Sequence, residues 1–201
     1  VGPKLMGVDL KEEARKLRAK LAGSGTGEVA APSAYQALAV RAYRVTHPDL
    51  CNRSVAELEA RPRQTRVFIS RIRTEGRIVE PEPATIIREG DVIAILARSE
   101  LLTARGAQIG AEVDDKELLD FPIEVLDVVV TNKSLDGKTI AELAAMEFAR
   151  GVFLKKITRV GQLMPFSPTT KIDRGDVMTL IGAAGDVERA AKNLGYADRQ
   201  T

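Results

Sequence analysis

The residues best equipped for chemistry in this chain are its clustered cations. Arg61, Arg63, Arg66, Arg71, Arg73 and Arg77 crowd one stretch, and Lys155, Lys156 and Arg159 crowd another. Guanidinium forks hold phosphate and carboxylate oxygens in pairs, and lysines add mobile point charges. Arg71, Arg73, Lys155, Lys156 and Arg159 are therefore candidate binding residues for a small anionic ligand. The competing reading is a sheet edge kept soluble by charge. Glu57, Glu59, Glu75 and Glu80 stand near enough in sequence to neutralise much of the field, and they favour that second reading.

Other reactive types do not assemble. His47 is the single histidine and Cys51 the single cysteine. A zinc site needs three or four convergent ligands, and a hydrolytic triad needs a nucleophile beside its base; this pair supplies neither. The run Gly23-Ser24-Gly25-Thr26-Gly27 is followed by Glu28, where a dinucleotide fingerprint needs glycine, so it reads as a linker. Glu112, Asp114, Asp115, Glu117 and Asp120 lack the alternating ligands and central glycine of a calcium loop and read as a solvated connector. Gly90-Asp91 and Gly175-Asp176 are assigned to structural turns. Glycine supplies positive φ and aspartate bonds nearby backbone amides ahead of a buried strand. No catalytic residue, metal site or cofactor is expected; a small regulatory ligand is.

Composition narrows the classes further. A net charge of +2 over 201 residues gives no strong field, so nucleic acid is not an expected partner. One cysteine precludes an internal disulfide and suits a reducing compartment. The longest apolar run, Val92–Ala97, is far short of the ~20 residues of a membrane span. The start, Val1-Gly2-Pro3-Lys4, suggests a piece of a longer polypeptide.

The elements that must position these side chains occur twice. At an offset of 85 residues, Ala56-Glu57-Leu58 recurs as Ala141-Glu142-Leu143, Val67-Phe68 as Val152-Phe153, and Gly90-Asp91-Val92 as Gly175-Asp176-Val177. From Val45 to Leu102 the register holds without a gap, with 17 identities in 58 positions; chance gives roughly three or four. Each copy is near the lower size limit for a self-sufficient core, so a homodimer, or pairing of the copies with each other, is expected.

Periodicity and turn residues predict an α+β fold, two tandem β-α-β-β-β-α domains preceded by a short helix. The helix, Asp9–Leu21, carries the stripe Leu10, Ala14, Leu17 and Leu21. The predicted divisions are 1–22, a linker at 23–36, a first domain at 37–104, an acidic connector at 105–122 and a second domain at 123–197. Glu75-Gly76 and Val160-Gly161 are predicted as tight turns between strands.

The Ala-Glu-Leu helix, the Val-Phe strand ending in basic residues and the closing Gly-Asp-Val strand resemble the TrkA-C domain, also called RCK-C. The resemblance covers residues ~37–104 and ~123–195. Nothing matches the glycine-rich lobe of a whole RCK unit, so nicotinamide binding is not implied. Tandem copies resemble the cytoplasmic loop of the aspartate:alanine exchanger family. Leu118-Leu119-Asp120-Phe121-Pro122 through Val128-Val129-Val130-Thr131-Asn132-Lys133 is similar to that family's entry into its second copy. The resemblance implies a non-catalytic regulatory region of a bacterial inner-membrane antiporter, facing the cytoplasm, partnered by the membrane-embedded halves of the same polypeptide. The alternative is the regulatory region of a potassium channel or uptake system.

Overall fold

The backbone of each copy is built around one largely apolar, largely buried strand. In the first copy this is Val92–Arg98, where six successive residues are buried. A strand buried on both faces needs cover on both faces, and that requirement organises the rest of the chain. The structure, a computed structural model, describes residues 37–60 and 65–198. The predicted helix Asp9–Leu21, the linker at 23–36, and Arg61 and Arg63 lie outside the described residues.

The first copy runs β1 (Leu38–Arg44), β2 (Arg53–Ser54), α1 (Val55–Ala60), β3 (Val67–Thr74), β4 (Arg77–Val79), β5 (Ile86–Ile87), β6 (Val92–Arg98) and α2 (Ser99–Arg105). Next come β7 (Glu112–Val113) and α3 (Lys116–Leu119). The second copy runs β8 (Ile123–Val130), α4 (Ile140–Ala144), β9 (Val152–Arg159), β10 (Gln162–Met164), β11 (Val177–Ala183), α5 (Ala184–Leu194) and β12 (Gly195–Asp198). Two five-stranded antiparallel sheets result, ordered β4-β3-β6-β1-β7 and β10-β9-β11-β8-β12. The α+β class read from the sequence holds.

The 85-residue register extends into the hydrogen bonding. Ser70 is skipped where β3 meets β6, and Lys155, 85 residues on, is skipped where β9 meets β11. Such bulges bend a strand and sharpen its twist. Ala42 pairs with Val113, and Asp127 pairs with Asp198, again 85 residues on in both strands. Both helices after the first strand open with capping boxes. Ser54 Oγ accepts the Glu57 amide at 3.2 Å, while Glu57 accepts the Ser54 amide at 2.8 Å. Thr139 and Glu142 repeat the arrangement at 3.2 and 2.7 Å.

Two expectations shift. The stretch at 105–122 reads from sequence as a solvated connector, yet β7 closes the edge of the first sheet and Leu118 in α3 is fully buried. Gly195 ends α5 as expected, but the chain turns back as β12 along β8. Both strands occupy an edge that would otherwise present unpaired amides.

The sheet faces turned toward the helices hold the two main cores. Tyr43, Ile72, Ile93 and Leu102 anchor the first, and Val128, Leu143, Leu180 and Leu194 the second. The opposite face of the first sheet, at Ala42, Val92 and Ala94, lies under Leu118.

At the β9–β10 turn, Val160 has φ 48° and is 94% exposed, while Glu75 takes the equivalent place with φ 47°. Glycine follows both, at φ 76° and 78°, as a type I′ turn requires. A β-branched side chain is costly in the left-handed region, and Val160 has few contacts to lose. Val160→Asn is expected to stabilise the chain by about 1 kcal/mol, read as a rise of a few degrees in Tm on a thermal melt.

Candidate functional site between the two copies

The described residues form part of one compact unit, and the two sheets meet through the faces turned away from their helices. Phe68 and Phe153, the same residue of each copy, meet edge to face, with ring centroids 5.3 Å apart and planes at 76°. Leu96 is buried with them, and Leu38, Val40 and Ile181 pack around this cluster. An edge-to-face pair adds about 1 kcal/mol beyond the area it buries.

Two arginines cross the interface in opposite directions. Arg66, leading into β3, donates to the backbone oxygens of Ala149 at 2.7 Å and Ala144 at 3.4 Å. Its guanidinium also lies 4.9 Å from the Phe68 ring centroid. Burial holds the Arg66 value below that of an ordinary arginine, against the opposing field of Glu59. Arg150, before β9, reaches back to Glu59 through both oxygens at 2.8 and 2.9 Å and to Ile69 O at 3.3 Å. Glu59 completes its set by accepting the Ile69 amide at 2.9 Å. The Glu59 side chain is 10% exposed and that of Arg150 21%. A pair so sheltered is costly to break on one side only.

The cations singled out from sequence are placed as follows. Arg73 forks onto Asp115 at 2.7 and 3.0 Å and also reaches Glu117 at 2.9 Å. Arg71 donates to Asp120 O at 2.8 Å and stacks 5.0 Å from the Phe121 centroid. These two clamp the segment around α3 onto the first sheet. Arg159 forks onto Asp176 at 2.7 Å twice and meets Asp173 at 2.8 Å. Lys155, at the bulge, and Lys156 are exposed. The turn residues are also placed: Gly90 and Gly175 have φ 87° and 92°. Asp91 accepts the Arg88 amide and Asp176 the Asp173 amide, each at 2.8 Å.

The described residues line a cavity beneath the helices of each copy, and none of the five candidate cations lines either. The first copy encloses about 550 Å³ and the second about 50 Å³. Glu59 lines the larger one and Arg66 the smaller, so each cavity touches a residue that crosses or receives a crossing contact. Sequence reasoning named neither Arg150 nor the cavity. The recurrence of phenylalanine at 68 and 153 was the available sign of the interface. Among the described residues, no group of three or more His, Cys, Asp or Glu is placed to hold a metal, and no helix is long and apolar enough to cross a membrane.

The TrkA-C domain family model matches residues 40–104 and again 125–195. The chain belongs to the TrkA-C domain family. Both TrkA-C copies lie within stretches shared with longer proteins. An uncharacterized transporter of Bradyrhizobium diazoefficiens is 38% identical over 196 residues, covering 97% of this chain and 38% of that protein. A second uncharacterized transporter of that organism is 41% identical over 200 residues, covering 98% of this chain and 35% of the other. One from Shewanella oneidensis is 33% identical over 203 residues, covering 98% and 36%. This TrkA-C chain thus spans little more than a third of the curated relatives it matches. Among solved structures, the GsuK RCK domain aligns at a TM-score of 0.34 and 11% identity, over 82% of this chain and 65% of that one.

Two outcomes follow. Arg150→Met leaves Glu59 sheltered without its cation and is expected to cost about 3 kcal/mol in urea unfolding, with Glu59→Gln added to it recovering part of the loss. Burial alone would raise the Asp176 carboxyl, but the Arg159 fork and the Asp173 amide hold it below its ordinary value of 3.8. A depressed folded value gives stability that is full above the unfolded value and is lost as pH falls through the folded one. Asp176→Asn is therefore expected to be less stable at neutral pH and to lose less than wild type between about pH 5 and pH 2, measured by circular dichroism.

Proposed function

We propose that this chain is the regulatory region of a bacterial secondary transporter, set between membrane-embedded halves of the same polypeptide and facing the cytoplasm. The observation that carries the reading is the match of nearly the whole chain to a segment of proteins named transporters, of which it fills 35–38%. The geometry agrees with a regulatory role. A signal passes only if a ligand favours one arrangement of the copies over another. Two lobes joined by the Phe68–Phe153 contact and the Arg66 and Arg150 crossings offer such an arrangement.

The transported solute in this reading is an amino acid, exchanged as in the aspartate:alanine exchangers whose loop this sequence resembles. The second copy keeps Val125 and Leu163 exposed on its outer sheet face, at 54% and 58%, and a homodimer of the assembled protein would cover apolar surface of that kind. Sedimentation of the detergent-solubilised full-length protein would measure its mass.

The functional test uses the full-length protein in liposomes. Labelled aspartate is expected to exchange against internal alanine, and Glu59→Gln is expected to change the exchange rate several-fold without altering solute selectivity. Aspartate–alanine exchange absent from an intact preparation would overturn the solute assignment. Exchange identical in wild type, Glu59→Gln and a variant lacking residues 37–198 would overturn the regulatory reading.

A further inference from the structure

The two copies descend from one pattern, so a difference in how they fill the same space carries information. In the second copy α5 runs eleven residues and buries Val187, Ala190, Ala191 and Leu194 against its sheet. In the first copy the helix stops after seven residues. At the same register, Ala190 is replaced by Arg105, Ala191 by Gly106 and Leu194 by Ile109. A Cβ on Gly106 would stand 2.6 Å from the Tyr43 hydroxyl. Tyr43 takes the place of Val128, and its ring accepts only glycine there. The chain responds with a tight turn at Gly106–Gln108 in place of further α-helix. Among the described residues, the space that α5 fills in one copy is left open in the other.

The resulting cavity, about 550 Å³, falls in the size range of small-molecule sites. Its floor is Ile69, Ile93 and Ile95, and its walls include Leu58, Leu101 and Ile109. Five polar side chains line it, His47, Asp49, Glu59, Arg105 and Gln108, and the Asp49 carboxylate faces solvent 3.8 Å from His47 Nδ1. Glu59 is committed to Arg150 and to the Ile69 amide. His47 turns Nδ1 to the Asp49 amide at 3.4 Å. Arg105 is exposed and has no ion-pair partner among the described residues.

We propose that this cavity binds a small amphipathic anion, with an apolar body over the isoleucine floor and one carboxylate, sulfonate or phosphate group on Arg105. A guanidinium with no ion-pair partner among the described residues, at the mouth of a greasy pocket, selects that class, because its fork satisfies two anionic oxygens at once. The place of Glu59 in the wall gives the site a route to the interface. A ligand lying against Leu58 and Ile69 touches the residues on either side of the Glu59–Arg150 bridge. The regulatory meaning of the site rests on the reading above; binding itself is measured on this chain alone.

The test titrates the 201-residue chain with 1-anilinonaphthalene-8-sulfonate, followed by competition with decanoate and with decanol. One saturable site is expected, displaced by both competitors. Arg105→Glu, an exposed change, is expected to weaken the sulfonate and decanoate at least ten-fold and to leave decanol unchanged. Ile109→Trp fills the cavity from its irregular turn and is expected to abolish all three while leaving the melting temperature within a few degrees. Leu163→Glu, on the exposed face of the second copy, is expected to change nothing. No binding, or binding that survives Ile109→Trp, would overturn the proposal, as would binding lost in Leu163→Glu. Should Ile109→Trp fail to fold, the isoleucine methyl spectrum of wild type decides: decanoate must shift Ile69, Ile93 and Ile95, and shifts confined to the second copy would sink the site. None of these results depends on transport, so the site and the regulatory reading fail separately.

Discussion

The constraint on which this molecule depends is that a small twisted sheet has two faces and one short chain cannot cover both. Each copy closes its helix-facing side with its own helices. The other side of the apolar strands β6 and β11 must find cover elsewhere. The chain meets this by setting the two uncovered faces against each other at one end, around Phe68, Leu96 and Phe153. A contact between equivalent residues of duplicated units is self-complementary in the manner of a two-fold dimer, here made within a single polypeptide.

Where the two faces do not meet, the copies diverge. Over the first sheet, Leu118 and its neighbours are held down by Arg71 and Arg73. In the second sheet those positions are Lys156 and Thr158, and Ala42 and Ala94 become Asp127 and Thr179, which bond to each other. The polar pair replaces an apolar floor with one that satisfies itself. Duplication supplied the frame, and each copy then specialised: a clamped outer face and an open inner cavity in the first, an exposed outer face and a filled interior in the second.

Much of this was legible in the residues. The repeat, the order of elements along the chain and both Gly-containing turns follow from residue spacing, because each element and turn rests on contacts within a few residues. The edge strand β7 is two residues long, too short to show a period. The partners of Arg73 could not be read either. Nearby glutamates are its natural counter-charges in sequence, whereas Asp115 and Glu117 lie 42 and 44 residues away. The cavity depends on a tyrosine ring pressing against one glycine, a steric relation between positions 43 and 106 that no linear pattern carries.

The join between the copies has a mechanical consequence. Only Asp120, Phe121 and Pro122 separate α3 from β8, and Pro122 itself accepts the Ala184 amide at 3.1 Å. With Arg71 gripping this segment as well, there is no slack for the copies to part. A short tether of this kind resists separation of the copies more than it resists a tilt about the aromatic contact. An eight-residue strand such as β8 is about 27 Å long. A tilt of about 10° at one end moves the other by roughly 5 Å, the scale of one helical turn. In a module joined this way, a small angular change at the centre would be a large displacement at the rim.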